Sequence, residues 1–143
     1  MKTAAQLIED KKHKEVISIA PNRPVIDALI ILAEYKIGAL LVMDKDRMVG
    51  IFSERDYARE VVLKGKSSKV TTIEEVMTKN VLVGHGKDTF EKAMTVMTEN
   101  HIRHLPIMDG HNVIGMLSLG DVAKEMIMYQ RNLIKELEGY IKQ

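Results

Sequence analysis

Cysteine does not occur among the 143 residues of the sequence. Its absence excludes disulfide bonds, thiolate catalysis and cysteine metal sites, and it is consistent with a reducing compartment. An excess of charge of one sign is lacking as well, since the formal net charge is +1. We therefore expect neither nucleic acid nor an acidic membrane as a partner unless a local patch binds it.

Long apolar segments are also missing. The first ten residues contain no apolar run of the kind that a secretory signal needs. The longest runs, such as residues 25–33 with Asp27 inside, are too short to span a bilayer. These features predict a cytoplasmic protein. Hydrophobic residues make up 45% of the chain, which at this length predicts one compact globular fold with a core.

Catalytic motifs are missing too. The sequence has no nucleophile–base–acid set, no Walker loop and no dinucleotide-binding glycine pattern. His104 and His111 are conceivable general bases, but nothing places a carboxylate or a nucleophile beside either of them. His101 and His104 are a conceivable metal pair without an evident third ligand. The sequence therefore predicts neither an enzyme nor a required metal.

The strongest feature that is present is an internal duplication. Residues 50–56 and 115–121 carry Gly, Ser and Asp at the same places, at a constant shift of 65 positions. Identities over about 40 positions at one ungapped shift indicate a repeated structural unit. The further matching pairs are Ala28 with Ala93, Glu34 with Glu99, Ile37 with Ile102, Leu40 with Leu105, Met43 with Met108, and Asp44 with Asp109.

Each copy is predicted to fold as β-α-β-β-α. A short apolar strand precedes a turn and a helix with apolar residues at helical spacing, which Asp88 or Thr89 caps in the second copy. Two strands joined by a tight turn follow, and a last helix begins near Ser53 or Ser118. The predicted strands are residues 16–19, 39–43 and 48–52, and then residues 81–83, 105–108 and 113–117.

These elements predict an α/β protein of two tandem units. A helix near residues 3–12 precedes the first unit, a polar linker with a short helix at 73–77 joins the units, and a long helix near 121–140 closes the chain. The predicted boundaries are 1–12 for the leading helix, 13–62 for the first repeat, 63–79 for the linker, 80–127 for the second repeat and 128–143 for the extension of the closing helix.

The pattern Gly-x-x-Ser-x-x-Asp, at the end of both units, resembles the cystathionine-β-synthase (CBS) domain pair, or Bateman module. Residues 53–59, 75–78 and 102–107 resemble stand-alone two-repeat CBS proteins of bacteria and plant organelles. The resemblance covers about residues 12 to 127. It implies a pseudo-twofold pair of repeats with two clefts, commonly filled by AMP, ADP, ATP, NAD(H) or S-adenosylmethionine. It also implies a homodimer that regulates another protein.

Two aspartates are the candidate ribose ligands. Asp56 and Asp121 each lie in the first turn of a helix, and a carboxylate can accept two hydrogen bonds from a ribose 2′,3′-diol. Ser53 and Ser118 place a hydroxyl beside the helix N-terminus, where N–H groups and the dipole favour a phosphate. The alternative is that Ser-x-x-Asp is only a capping box, although capping and binding can coexist.

Four basic residues are candidate phosphate ligands, with a solvated surface as the alternative for the arginines. They are Arg55, Arg59, Arg103 and His104. The first copy has no charge where the second has Arg103 and His104. The sequence therefore predicts that the two clefts differ, one being rich in cations and the other small and neutral. The resemblance implies that the first contains Asp56 and the second Asp121.

The family resemblance also implies an adenine pocket that each copy supplies to the aspartate of the other. Asp56 and Ser53 would then work with Val83, Ile102, Arg103 and His104. Asp121 and Ser118 would work with Ile17, Gly38 and Ala39, together with Met116 of their own copy. Ordinary core packing is the alternative for Ile17, Val83 and Met116.

The sequence thus predicts a regulatory sensor of adenine nucleotides that acts on an unknown partner protein in trans. Differential affinity of the ligand for two arrangements of the module would drive the response. The apolar stripe of the closing helix is the predicted dimer contact. The alternative is an assembly scaffold whose clefts bind no ligand.

Overall fold

The computed structural model describes residues 1–11 and 16–142. The chain divides into two compact units, of which unit 1 comprises Met1–Lys14 and Val83–Gln143 and unit 2 comprises Glu15–Leu82. Each unit contains one three-stranded sheet with helices packed against it. The predicted α/β class is confirmed.

In unit 2 the strand order is β1-β2-β3, with β1 parallel to β2 and β2 antiparallel to β3. The short helix α3 continues directly into a turn and a half of π-helix. The strands are β1 (Ser18–Ile19), β2 (Ala39–Asp44) and β3 (Arg47–Ser53). The helices are α2 (Val25–Tyr35), α3 (Glu54–Asp56), the π-helix (Tyr57–Val62) and α4 (Ile73–Val76).

Unit 1 repeats this topology, with β4 parallel to β5 and β5 antiparallel to β6. The strands are β4 (Gly84–His85), β5 (His104–Asp109) and β6 (Asn112–Ser118). The helices are α1 (Ala4–Asp10), α5 (Phe90–Glu99) and α6 (Leu119–Lys142). The closing helix therefore starts and ends two residues beyond its predicted limits.

The first strand of the second copy is not at residues 81–83, where the sequence predicts it. It lies at Gly84–His85, inside residues 84–87, where the sequence predicts the turn that follows the strand. Side chains of Leu105 and Ile107 lie 2.9 Å from where a Cβ of Gly84 would be, so the glycine serves close packing within the sheet. The turn comes later, where the carboxylate of Asp88 accepts a hydrogen bond from the His85 N–H at 3.0 Å.

The two copies agree in their irregularities. The β2–β3 ladder shifts register between Val42 and Met43, and the β5–β6 ladder shifts between Ile107 and Met108. Both hairpin turns place a residue in the left-handed region, Lys45 with φ 58° in unit 2 and Gly110 with φ 62° in unit 1. Shared deviations of this kind support the duplication more strongly than shared regular elements do.

Helices α1 and α4 occupy matching places in the two units. Each begins with a capping box, formed by Thr3 and Gln6 in α1 and by Thr72 and Glu75 in α4. Thr3 and Thr72 are 69 positions apart, whereas the repeats are offset by 65. An ungapped comparison of the copies therefore cannot align these helices. Lys12, the end of the predicted leading helix, lies outside the described residues.

Each unit has its own hydrophobic core between its sheet and its helices. An edge contact between Phe90 and Tyr129, with ring centroids 5.9 Å apart, joins α5 to the first half of α6. Fully burying a side chain of this size contributes about 1.5–3 kcal/mol. The largest buried side chains of unit 1 are Phe90, Met97, Leu105, Ile107 and Leu117, and those of unit 2 are Phe52, Leu40, Leu41, Ile73, Val25, Val42 and Val61.

Candidate functional site

The two Ser-x-x-Asp segments occur at the same edge of the two sheets. Ser53 ends β3 and Ser118 ends β6, and a helix begins at the next residue in each case. The Glu54 N–H donates to the Gly38 carbonyl at 3.1 Å, and the Leu119 N–H donates to the Arg103 carbonyl at 2.8 Å. These bonds tie each helix start to the residue that precedes the central strand of its sheet.

In unit 2 the Asp56 carboxylate folds back onto Ser53. Its Oδ2 accepts hydrogen bonds from the Ser53 N–H at 2.9 Å and from the Ser53 hydroxyl at 3.0 Å. The Asp56 N–H in turn donates to Ser53 Oγ at 3.3 Å. Ser53 is therefore the N-cap of α3, with Asp56 completing a capping box.

A third group holds the other oxygen of Asp56. The Thr78 hydroxyl donates to Asp56 Oδ1 at 3.0 Å. The backbone of Thr78 is fixed by a pair of hydrogen bonds with Ile51, of 3.0 and 2.9 Å, that continue the β3 edge. The chain that follows α4 thus positions a neutral donor on the carboxylate.

In unit 1 the matching carboxylate meets an ammonium group. Asp121 Oδ2 accepts from the Ser118 N–H at 2.8 Å and from Lys11 Nζ at 3.0 Å. Lys11 Nζ also donates to the Met116 carbonyl at 2.9 Å. The Asp121 N–H donates to Ser118 Oγ at 3.1 Å, so Ser118 caps the start of α6 as Ser53 caps α3.

The charge of Lys11 contributes to a lowered pKa of the Asp121 carboxyl. Burial alone would raise the pKa of the Asp121 carboxyl, but the Ser118 N–H and the Lys11 ammonium outweigh burial. The net result is a pKa below the ordinary value for aspartate. Asp121 is therefore held as a carboxylate that is already engaged by a cation.

These contacts test two expectations from the sequence, the capping box and the neutral surrounding of Asp121. The capping-box interpretation of Ser-x-x-Asp is confirmed in both copies, while ribose binding stays a prediction. The expectation of a neutral surrounding for Asp121 is wrong, because Lys11 lies in direct contact with it. The sequence comparison overlooks Lys11 because that residue precedes the ungapped repeat.

The predicted phosphate ligands lie near these edges. Arg55 is exposed on α3, and Arg59 is exposed on the π-helix. Arg103 is exposed immediately before β5. His104 is half-buried, and its Cα pairs with that of Ser118 across the β5–β6 ladder. Arg103 and His104 therefore lie beside Ser118, within one unit.

The predicted adenine-pocket residues also lie at the starts of strands or next to Ser118. Ala39 is completely buried, whereas Ile17, Gly38, Val83, Ile102 and Met116 are partly buried. Ile17 packs against the core of unit 2 and Ile102 against the core of unit 1, as the core alternative predicts for Ile17. Their contact with a base stays a prediction.

Two other kinds of site find no support in the described residues. Within residues 1–11 and 16–142, no group of three His, Cys, Asp or Glu side chains is arranged to hold a metal ion. No helix in that part of the chain is both long and apolar enough to cross a membrane.

Sequence reasoning did not single out two residues of this site. Thr78 occurs in the family-like stretch 75–78, but its place beside Asp56 depends on the Ile51 pairing. Lys11 lies 110 positions from Asp121, and no motif in the sequence joins the two.

Comparison with known proteins supplies the family. A family model described as the CBS domain matches residues 8–63 and, a second time, residues 73–128. The mitochondrial CBS domain-containing protein CBSX3 of Arabidopsis thaliana is 36% identical over 123 residues, which are 82% of this chain and 60% of that relative. The chain thus spans less than two thirds of the length of CBSX3.

Solved structures agree with this match. A protein with CBS domains from Burkholderia ambifaria MC40-6 has a TM-score of 0.85 and 43% identity, covering 89% of this chain and 95% of that one. The CBS domain pair of protein MJ0100, in complex with 5-methylthioadenosine and S-adenosyl-L-methionine, has a TM-score of 0.76 and 24% identity, covering 88% of this chain and 96% of that one. At this identity, the second likeness concerns the fold alone.

Proposed function

The chain belongs to the family of CBS-domain proteins, and on that premise we propose that it is a regulatory module that binds an adenosyl ligand through Asp56 and Asp121. The observation that carries the proposal is the repeated geometry at the two sheet edges. In both units a strand ends on serine, a helix begins, and an aspartate of its first turn is held at the same edge.

The capping hydrogen bonds occupy only part of the acceptor capacity of the two carboxylates. A carboxylate offers about four lone-pair sites on two oxygens. The capping serine uses Oδ2 of Asp56 and of Asp121. A ribose diol presents two adjacent hydroxyl donors, and hydrogen bonds to an ionised acceptor are the stronger class. The caps therefore orient each carboxylate for a further donor.

The ligand class follows from that chemistry. AMP, ADP, ATP, NAD(H) and S-adenosylmethionine all carry an adenosine ribose with a 2′,3′-diol. The two ligands of the MJ0100 domain pair are adenosyl compounds as well, which supports the class without selecting a member. Arg55, Arg59, Arg103 and His104 are proposed to favour ligands with phosphates, since guanidinium groups bind phosphate oxygens in pairs.

The proposed role is regulatory, not catalytic, and is exerted in trans on another protein. Ligand binding would change the population of module conformations that this partner recognises. The location in the cytoplasm stays a prediction, because the similar CBSX3 of Arabidopsis thaliana is mitochondrial.

Calorimetry with AMP, ATP, NADH and S-adenosylmethionine tests the binding. Asp56→Asn and Asp121→Asn should each remove one binding event, because asparagine retains a capping oxygen but loses the charged diol acceptor. Asp88→Asn is the matched control, since Asp88 accepts a backbone N–H within its own turn. Unchanged stoichiometry in both site variants would reject the site assignment.

A second candidate function, that of an assembly module, is favoured by the free end of α6. All residues from 130 to 142 are exposed. Several of them are large and apolar, with Tyr140 79% exposed. A helical end of this kind is marginal by itself in water, so an apolar partner surface would stabilise it. The exposed apolar side chains of α6 are Ile127, Met128, Leu133, Ile134, Leu137, Tyr140 and Ile141.

We propose that a second copy of the chain covers this stripe. Ile127, Ile134 and Ile141 recur every seven residues, which is the spacing of a coiled-coil seam. Arg131 and Glu138 are also seven residues apart and flank the same side of the stripe. Antiparallel helices bring like flanks together, so each arginine would meet the glutamate of the other copy.

A thermal-shift screen separates the two candidate functions. A ligand that binds only the native state raises the melting temperature, and the gain in stability grows with the logarithm of one plus the ratio of its concentration to Kd. A flat response across the adenosyl series, together with a dimer in solution, would leave the assembly module as the better description.

A further inference from the structure

Lys11 is the charged residue at the two carboxylates that sequence reasoning did not single out. It is the C-cap residue of α1, and its ammonium lies 3.0 Å from Asp121 Oδ2 and 2.9 Å from the Met116 carbonyl. Since the Ser118 N–H also donates to Oδ2 at 2.8 Å, both lone pairs of that oxygen have donors. A diol that needs both carboxylate oxygens must displace one of these donors.

The matching place in unit 2 has a different donor. Thr78 approaches Asp56 along the β3 edge, and its hydroxyl donates to Oδ1 at 3.0 Å. Ile51, which pairs with the Thr78 backbone, aligns with Met116, whose carbonyl accepts from Lys11. Oδ2 of Asp56 also has two donors, the N–H and the hydroxyl of Ser53. The two sites therefore differ in charge, because the hydroxyls on Asp56 are neutral and Lys11 on Asp121 is a cation.

The two donors differ in how readily a ligand replaces them. A threonine hydroxyl exchanges one neutral hydrogen bond for another and can rotate to accept a bond from the incoming diol. The Lys11 ammonium has no acceptor capacity, and its bond to Asp121 is assisted by charge on both sides. A neutral diol at Asp121 therefore competes with a stronger donor than one at Asp56.

We propose that Lys11 is an internal counter-ion that competes with the ligand diol for Asp121. On the proposed function, from which this inference proceeds, the Asp56 site fills first and the Asp121 site fills only when Lys11 is released. Both side chains are about one third exposed, 34% for Lys11 and 30% for Asp121, so the ion pair can open without unfolding the unit.

Release of Lys11 has a structural consequence. The ammonium joins the end of α1 to strand β6 through Met116 and to helix α6 through Asp121. A ligand that takes its place on Asp121 removes the link to α6. Occupancy of this site thus changes how the end of α1 is held.

Calorimetry with adenosine, which has the diol but no phosphate, tests the competition on the full chain. Lys11→Met should strengthen the weaker adenosine event about two- to fivefold, the range expected for a partly exposed ion pair, and leave the stronger event unchanged. The gain should vanish when Lys11→Met is combined with Asp121→Asn. It should also be absent with 2′-deoxyadenosine, which lacks the diol.

Lys2→Met is the matched control for loss of a positive charge. Lys2 lies in the same unit but pairs with Asp10 and Glu125, so adenosine binding should not change. If adenosine binds in two events and Lys11→Met changes the affinity of neither, the proposed competition between Lys11 and the diol is overturned. The proposed function would then remain intact. Weaker binding in Lys11→Met would make Lys11 a ligand contact and would also overturn it. Absence of any adenosine binding in wild type and Lys11→Met would reject both proposals together.

Discussion

Gly115 of strand β6 lies so close to Ile8 of helix α1 that a Cβ at position 115 would be 2.8 Å from Cδ1 and 2.9 Å from Cγ2 of Ile8. The same relationship recurs in unit 2, where a Cβ at Gly50 would be 2.6 Å from Sδ of Met77 and 2.8 Å from the Thr78 carbonyl. The glycine of each repeated motif therefore provides room for a short helical segment on the sheet. In unit 2 the segment packed on the glycine includes Thr78, whose hydroxyl donates to Asp56.

Gly115→Ala is accordingly expected to lower the free energy of unfolding by about 1–3 kcal/mol, because the well-packed Ile8 must move. Urea denaturation measures the change, and the cost should shrink in an Ile8→Ala background that makes room. Gly139→Ala is the control, since nothing lies within 4 Å of the new Cβ on helix α6. It should stabilise the helix by up to about 1 kcal/mol. A Gly115→Ala variant as stable as wild type would contradict the packing argument.

The caps predict a second stability effect. Ser118 Oγ accepts the Asp121 N–H at 3.1 Å, so Ser118→Ala should lower the free energy of unfolding by about 1 kcal/mol. Ser118→Thr retains the acceptor and should cost less. Equal losses for alanine and threonine, measured by urea denaturation, would show that the hydroxyl contributes no cap.

Sequence alone predicts the long elements and several short ones, such as α4, but it misplaces the first strand of the second copy. Helices α2 and α5 and the paired central strands have apolar patterns long enough to be recognised. Strands β1 and β4 have two residues each and depend on pairing with a central strand. The apolar pattern at residues 16–19 includes β1, whereas that at residues 81–83 ends just before β4. Glycine in β4 even gives a turn signal, although it serves close packing.

The candidate site divides in the same way. Ser53, Asp56, Ser118 and Asp121 follow from a local motif repeated at one shift, so the sequence locates all four. Lys11 reaches Asp121 from a helix that is four residues out of register with that shift. Long-range tertiary contacts of this kind follow from packing and leave no periodic signal.

The ion pair of Lys11 and Asp121 predicts a pH dependence. Burial opposes ionisation of Asp121, but the Ser118 N–H and Lys11 lower its pKa below the ordinary value. A carboxyl whose pKa is lower in the folded than in the unfolded state stabilises the fold at pH values above its unfolded pKa of about 3.9. This stabilisation is lost as the pH falls through the folded pKa. The stability advantage of wild type over Asp121→Asn should therefore be constant near pH 6 and shrink below about pH 4.

Urea denaturation of both proteins between pH 3 and pH 6 measures this difference. Lys11→Met supplies the comparison, because Asp121→Asn should cost less in that background at pH 6. An advantage of wild type that stays constant or grows on acidification would mean that the carboxylate of Asp121 does not stabilise the fold.

The stripe on α6 predicts the oligomeric state. Leu137→Glu places a charge in the middle of the proposed seam, so it should convert dimers to monomers in sedimentation equilibrium. Lys135→Glu is the control, because position 135 lies outside the stripe. Dimers that survive Leu137→Glu, or a monomeric wild type at the same concentration, would contradict pairing through α6.

A charge exchange then decides the direction of the two helices. Arg131→Glu should weaken the dimer, since it would put glutamate opposite Glu138 of the second copy at both ends of the pair. Adding Glu138→Arg should restore it, with each exposed pair contributing about 0.2–1 kcal/mol. In a parallel pair this flank would instead face the positions of Leu133 and Tyr140, so the exchange would bring no recovery. Recovery in the double variant therefore supports antiparallel pairing, and its absence contradicts it.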